Sequence, residues 1–330
     1  MHSSGKPTRS SPLAGQEGTC AKLRLGLALV AGFALLESCT TEPVRALDDI
    51  ERLAFVRAGR SPRILKIEWG SDDDLLVDRY EVTRAQWLKW TEEREVAGQA
   101  DWARPWTFMG PESVAGSASE GRLPATSMSL TLARRFAHDH HMRLPTADEW
   151  LHIASGKHRF SYPWGTGRIE SCTNTLELGL GRLVPVGSFE QSKSPHGVYD
   201  LIGNVWEWVD RPVEHGVPLL TPSLVFEDDR WVMGGSFASR LDPLHTDYKI
   251  LFAKNVGAGY RAADVGLRRI TEAGSYIRAR AEELSDPQLR ERLIAVGERW
   301  GMQAISLLED LQANDGRHKS IAWLLEGARR

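Results

Sequence analysis

Apolar and polar positions change period several times along the chain, and each change predicts an element. An uncharged run, LGLALVAGFALL at residues 25–36, follows Lys22 and Arg24. At about 1.5 Å per helical residue it is too short to cross a bilayer core of about 30 Å comfortably. A positive flank before a short apolar run is instead the pattern of an export signal. Between residues 40 and 66, loosely helical spacing of Ile50, Leu53, Ala54 and Val56 predicts a tether with one short helix, ended by Gly59, Ser61 and Pro62. Residues 75–90, LLVDRYEVTRAQWLKW, begin with alternation and then turn helical, with Thr83 as cap and Trp87 and Trp90 on the helix. Residues 97–122 are rich in Gly, Ala, Ser and Pro and read as a long surface excursion.

Two better helices follow. Ser129 can cap the first, on which Leu132, Phe136 and His140 repeat at four; Pro145 bars its continuation. Thr146 then caps the second, with Glu149 completing a capping box ahead of the stripe Trp150, Ile153 and Ala154. Residues 156–196 show little regular pattern. From residue 271 the chain is helical again. Asp286-Pro287 divides two helices, the second carrying Leu289, Leu293, Val296, Trp300, Leu307, Leu308 and Leu311 on one side. Asn314, Asp315 and Gly316 stop it, and SIAWLLEGARR forms a short last helix. Helices followed by short irregular strands and much loop describe an α+β domain.

Composition narrows the function. The 330 residues carry a formal charge of −3, so nucleic acid is not an expected partner. Twelve tryptophans indicate large irregular cores or ligand-facing aromatics. The three cysteines, Cys20, Cys39 and Cys172, make no disulfide framework. His138, His140 and His141 do not sit at zinc-ligand spacing and read as a polar helix end. The export signal ends LESC at residues 36–39, which resembles a bacterial lipoprotein signal, although Glu37 departs from its preference for a small residue. That resemblance makes Cys39 the lipidated first residue of a mature chain held at the membrane of the cell envelope.

The most distinctive stretch is GVYDLIGNVWEWVD, residues 197–210. If residues 205–209 are extended, Val205, Glu207 and Val209 share one face and Trp206 and Trp208 the other. Asp200 and Glu207 cannot meet on one straight strand, so Gly203-Asn204 must turn the chain back. Taken alone, this is either a capped turn over two core tryptophans or a cation site. With YEVTRAQW, RLPTADEW, YPWG, PVGSF, VMGGSF and VGLRR in order, from about Tyr80 to Arg269, it resembles the formylglycine-generating enzyme, or sulfatase-modifying factor, family. The resemblance implies an irregular, loop-rich, C-type-lectin-like fold. It also implies one calcium ion, held by the Asp200 and Glu207 carboxylates and the Gly203 and Val205 carbonyls, a donor set that suits calcium. A second calcium site of the family would use Asn174, but no Asp lies between 174 and 185, so that site is degenerate or empty.

The family's enzymes hold copper with two cysteines after the Gly-Gly-Ser segment. Here the region from Gly234 to Arg269 contains none, so copper is not expected, because copper(I) requires soft thiolates. A related class that forms the carbon–sulfur bond of ergothioneine needs a histidine-bearing helical domain, and nothing before Tyr80 is long or histidine-rich enough for it. The sequence thus divides into a lipoprotein-type signal at 1–39, a tether with a short helix at 40–66, the family domain at 67–270 and a helical extension at 271–330. The extension is expected to pack back on the domain rather than to serve as a docking surface. The expected function is non-catalytic binding or scaffolding in the envelope, with an unidentified ligand or protein partner meeting a cleft around Trp206, His245 and Arg261. The alternatives are an oxidoreductase-type enzyme using other ligands in the same cleft, or an accessory partner of a cysteine-bearing oxidase.

Overall fold

Two short runs, LAFV and LLVD, have every residue buried, and they form the centre of the fold. They are strands β1 (Leu53–Val56) and β4 (Leu75–Asp78), paired antiparallel with Val56 opposite Leu75. In this computed structural model the described residues are 48–60, 70–96, 118–158, 160–210, 229–244, 253–257 and 259–330. The apolar run at 25–36, Cys39 and His245 lie outside them.

Strands β2 (Gly59–Arg60) and β3 (Gly70–Ser71) form a small antiparallel pair. Four more strands, β5 (Trp206–Val209), β6 (Asp229–Met233), β7 (Ala253–Gly257) and β8 (Val265–Gly266), make a sheet in the order β7-β6-β5-β8, in which only the β5–β8 pairing is parallel. Strand β9 (Ile270–Glu272) returns to pair with β4 and closes the three-stranded sheet β1-β4-β9. Among the described residues three helices of nine residues or more precede β5: α1 (Arg84–Val96), α2 (Leu130–Asp139) and α3 (Ala147–Ser155). Their starts follow from the predicted caps. The Ser129 hydroxyl accepts from the Leu132 amide, and Thr146 and Glu149 form a reciprocal capping box.

Residues 53–56 are strand rather than the expected helix on a tether. The β1-β4-β9 sheet is buried on both faces. Leu53 and Phe55 point to one core with the C-terminal helices, while Ala54 and Val56 point to another with Trp150 and Leu201. A strand covered on both sides shows no polar alternation, so its four apolar residues carry no period that marks them as β.

The extension does pack back on the domain. Helices α4 (Ala273–Arg280), α5 (Arg290–Trp300), α6 (Ile305–Asp315) and α7 (Lys319–Arg329) share a core with Leu53, Phe55, Leu76 and Met142. The Trp300 indole donates to the Leu53 carbonyl at 3.0 Å, and Gln303 donates to the Phe55 carbonyl at 3.0 Å. The expected long second helix is instead two helices, because Gly301 takes a left-handed φ of 65° and ends α5. Helices α5 and α7 cross with backbones almost touching. A Cβ added at Gly297 would lie 2.1 Å from the Leu324 carbonyl oxygen, and one at Gly327 would lie 2.0 Å from that of Ile294.

His152, on α3, has its Nε2 3.0 Å from the Arg57 carbonyl, which requires the proton on that nitrogen and leaves Nδ1 bare and without a partner. The His196 ring lies 5.5 Å away, centroid to centroid, and its buried Nε2 is also without a partner. Burial first, and then the charge of His152, push His196 down to about 4.

Two predictions follow from this packing. Gly327→Ala forces apart the α5–α7 crossing and costs about 1–3 kcal/mol, read as a lower urea midpoint; an unchanged midpoint would show that the crossing opens freely. For His196, the unfolded chain binds a proton from the ordinary value of 6.5 downward and the folded chain does not until about 4. Its contribution to stability is therefore complete above 6.5 and lost as pH falls through that window. His196→Gln should gain on the wild type when urea midpoints at about pH 7 and about pH 5 are compared; parallel pH profiles would show that His196 titrates normally.

Candidate functional site

The GVYDLIGNVWEWVD stretch folds through four residues with left-handed backbone: Gly197 (φ 73°), Asp200 (φ 57°), Gly203 (φ 84°) and Asn204 (φ 57°). Gly203 is required by contact as well as by conformation. A Cβ there would lie 2.4 Å from the Asn174 carbonyl oxygen and 2.7 Å from the Thr173 hydroxyl. Asn204 fastens the turn with both ends of its amide. Its oxygen accepts from the Val184 amide and from Asn174 Nδ2, both at 3.1 Å, and its nitrogen donates to Glu81 at 3.1 Å and to the Val184 carbonyl at 3.3 Å. The chain then enters β5. As expected for an extended segment, Val209 packs with Trp150 on one side, and Trp206 and Trp208 pack on the other.

Glu207 is completely buried, and so is its partner, Arg268. Arg268 Nη2 donates to Glu207 Oε1 at 2.6 Å, and Nε is shared between Oε1 at 3.2 Å and Oε2 at 3.1 Å. The Trp150 indole donates to Oε2 at 2.8 Å. Arg268 is held in turn by the Asp78 and Tyr199 carbonyls at 2.7 and 2.8 Å. Beside it, Arg269 grips both oxygens of Asp78 at 2.8 and 3.0 Å. Two further carboxyls border this centre. Burial, and then the charge of Asp200, push Glu81 well above the usual carboxylate range. Burial likewise raises Asp200 to about 6, against the pull of the Gly187 amide, which donates to it at 2.6 Å.

In this geometry the expected calcium cage meets a competing cation. A carboxylate offers about four lone-pair directions. Those of Glu207 meet the guanidinium of Arg268 and the indole of Trp150 in four contacts. The cation that Glu207 meets belongs to the chain itself. With Glu207 saturated, only the Asp200 carboxylate and the Gly203 and Val205 carbonyls remain of the expected set, and these do not fit a calcium ion, which takes six to eight oxygens. Among the described residues no group of three or more His, Cys, Asp or Glu is placed to hold a metal ion.

Sequence reasoning missed Arg268, Arg269 and Glu81. The signal for the arginines was present in VGLRRI, where two cations inside an apolar run each require a buried anion elsewhere. Of the expected cleft, Trp206 is half-buried against the core that holds Trp208, Val232 and Val265, as are Leu88, Tyr260 and Ala262, and Arg261 is exposed. Ser236, fully buried beneath this face, donates to Asp264 at 2.7 Å, and the Asp264 carbonyl accepts from the Trp206 amide at 2.8 Å. Cys172 is buried, with its sulfur 3.6 Å from the Gln191 side-chain oxygen, and burial raises its thiol pKa, the opposite of activation.

A family model described as a sulfatase-modifying factor enzyme 1-like domain matches residues 70–273. The inactive C-alpha-formylglycine-generating enzyme 2 of Bos taurus is 33% identical over 121 residues, which are 33% of this chain and 38% of that protein. The hercynine oxygenase of Mycolicibacterium smegmatis is 28% identical over 235 residues, 62% of this chain and 52% of that protein. The chain thus spans about half or less of the length of these relatives. Among solved structures, CarF superposes with a TM-score of 0.50 at 19% identity, covering 67% of this chain and 97% of that one, a likeness of fold.

Removing Arg268 should leave Glu207 buried and uncompensated. Arg268→Met is expected to cost about 3–5 kcal/mol in urea unfolding. Chelating calcium should leave the melting temperature of the wild type unchanged, and a drop on chelation would show that the ion is held despite the guanidinium.

Proposed function

Because the chain belongs to the sulfatase-modifying factor enzyme 1-like family, we propose that it uses the family's α+β, C-type-lectin-like scaffold for binding rather than catalysis. On this reading it is an exported scaffolding or binding protein, tethered to the membrane of the cell envelope through a lipid on Cys39, and its ligand or protein partner meets the face around Trp206 and Arg261. One observation carries the reading. The chain's three cysteines all lie at or before residue 172, so the segment from Gly234 to Arg269 offers no thiolate to copper and none to a substrate thiol. The remaining thiol of the domain, Cys172, is buried with its pKa raised. The name of the bovine relative, an inactive formylglycine-generating enzyme, supports the same direction. The lipid anchor rests on the short apolar run and Cys39; among the described residues no helix is long and apolar enough to cross a membrane.

A second reading is an enzyme of oxidoreductase type working at the same face with other ligands. The alignment with hercynine oxygenase, the longer of the two reported, favours it. A third is an accessory partner of a cysteine-bearing oxidase.

Two measurements decide among these. Purified protein incubated with copper, oxygen and a Cys-X-Pro-X-Arg peptide should show no conversion of thiol to aldehyde by mass. With ferrous iron, oxygen, hercynine and a thiol it should show no sulfur-containing product. Turnover in either assay that survives Cys172→Ser would overturn the binding reading. Separately, Cys39→Ala should move the protein from the membrane fraction to the soluble fraction; unchanged fractionation would remove the lipid anchor from the proposal.

A further inference from the structure

On the side of the domain where β1, the start of α1 and residues 121–122 come together, a cleft of about 440 Å³ opens between Arg52 and Arg122. That volume is in the range of small-molecule sites. Its wall is formed by Tyr80, Val186, Thr83 and Ala85, and no carboxylate lines it. Among the described residues neither guanidinium group has an acidic partner. Arg122 makes one long hydrogen bond, at 3.3 Å, to the Val186 carbonyl. The side chain of Arg52 has no hydrogen bond or ion pair among the described residues.

The acids nearest Arg52 in sequence are committed elsewhere, and Glu120, two residues before Arg122, does not line the cleft and its charge acts on Arg84. Glu51 is bound by Arg292 through two contacts of 2.6 Å, and Asp49 lies 3.6 Å from Arg269. A further cation stands beside the wall. The guanidinium of Arg79 lies over the Tyr80 and Tyr199 rings at 5.4 and 5.6 Å, and its charge adds to burial in lowering the pKa of Arg299.

The uncharged wall complements the two cations. Tyr80 lies against Gly187, where a Cβ would come within 2.6 Å of its ring, so this glycine is what admits the aromatic side chain. The phenol of Tyr80 and the backbone amide of Ala85 have no partner among the described residues, whereas the amides on either side of Ala85 bond Leu123 and Thr83. Ala85 stands in the first turn of the 13-residue helix α1, whose dipole adds to the same sign of potential.

We propose that this cleft is a binding site for a small organic anion. Its phosphate, sulfate or carboxylate head would be gripped between Arg52 and Arg122, and its apolar or aromatic body would lie on Tyr80 and Val186. Paired guanidinium groups are suited to oxyanions because each presents parallel N–H donors. An apolar wall without carboxylates favours a ligand larger than a bare ion. The inference goes beyond the proposed function and stands whether or not the chain catalyses a reaction.

The test is calorimetric titration of the full chain in detergent with phenyl phosphate, benzoate, inorganic phosphate and benzyl alcohol. Phenyl phosphate and benzoate should bind, the first more tightly; inorganic phosphate should bind more weakly than phenyl phosphate, and benzyl alcohol should not bind. Arg52→Ala and Arg122→Ala should each weaken phenyl phosphate about tenfold or more, the effect of losing one charge-assisted contact. Added salt should weaken it further. Because neither arginine has an ion pair, both variants should keep the melting temperature of the wild type, so lost binding would not reflect lost folding. Failure of both organic anions to bind at millimolar concentration, or equal binding by wild type and the double variant, would overturn the proposal.

Discussion

The fold turns on a pair of charges that never meets water. Moving Glu207 and Arg268 out of solvent costs several kcal/mol per ion, and only close, saturated geometry offsets that cost. The molecule supplies it from three directions. Glu207 comes from β5, Trp150 from α3, and the carbonyls that complete Arg268 come from the end of β4 and from Tyr199. Next to it, Arg269, just before β9, and Asp78, at the end of the central strand β4, repeat the arrangement within the three-stranded sheet. A buried pair is weak evidence for stability as such. Its effect here is registry, because a one-residue slip of Arg268 would place Leu267 or Arg269 against Glu207 and strand a carboxylate in the core.

Such a centre separates scaffold from chemistry. The turn at Gly203-Asn204, the sheet β7-β6-β5-β8 and the three-stranded sheet are tied together from beneath, by groups with no solvent exposure. The face above, with Trp206, Tyr260 and Arg261, can therefore change its side chains without loosening what supports it. A domain built in this way can lose a pair of reactive cysteines and keep its shape, which is why family membership alone does not assign an activity.

What was legible in the sequence was local. The caps at Thr83, Ser129 and Thr146 are short-range hydrogen bonds written within four residues, and each begins a helix where it was expected. The ordered motifs identified the family, and the alternation across β5 placed Glu207 apart from its flanking tryptophans. What was illegible was two-sided or distant. Strand β1 lacks alternation because both faces are covered. The break at Gly301 is one glycine inside an otherwise continuous apolar stripe. The partner of Glu207 lies 61 residues away, and no spacing rule connects the two. Calcium was expected at Glu207 from the family resemblance; the sequence alone could not show that Arg268 meets its oxygens.

The seam between β1 and the C-terminal helices bears on how the chain comes to be folded. Trp300 and Leu53, joined by a hydrogen bond, stand 247 residues apart, and the core they share with Leu76 is completed by Ala328 on the final helix. Contacts of this sequence separation carry a large loop-closure entropy and form late. While the chain is being made, the central sheet waits with one apolar face uncovered, and no partial product can complete it. The domain therefore closes as a ring, with the seam between Leu53 and Trp300 among the last contacts to form. The core stays incomplete, and open to whatever handles unfolded chains, until α7 has been made.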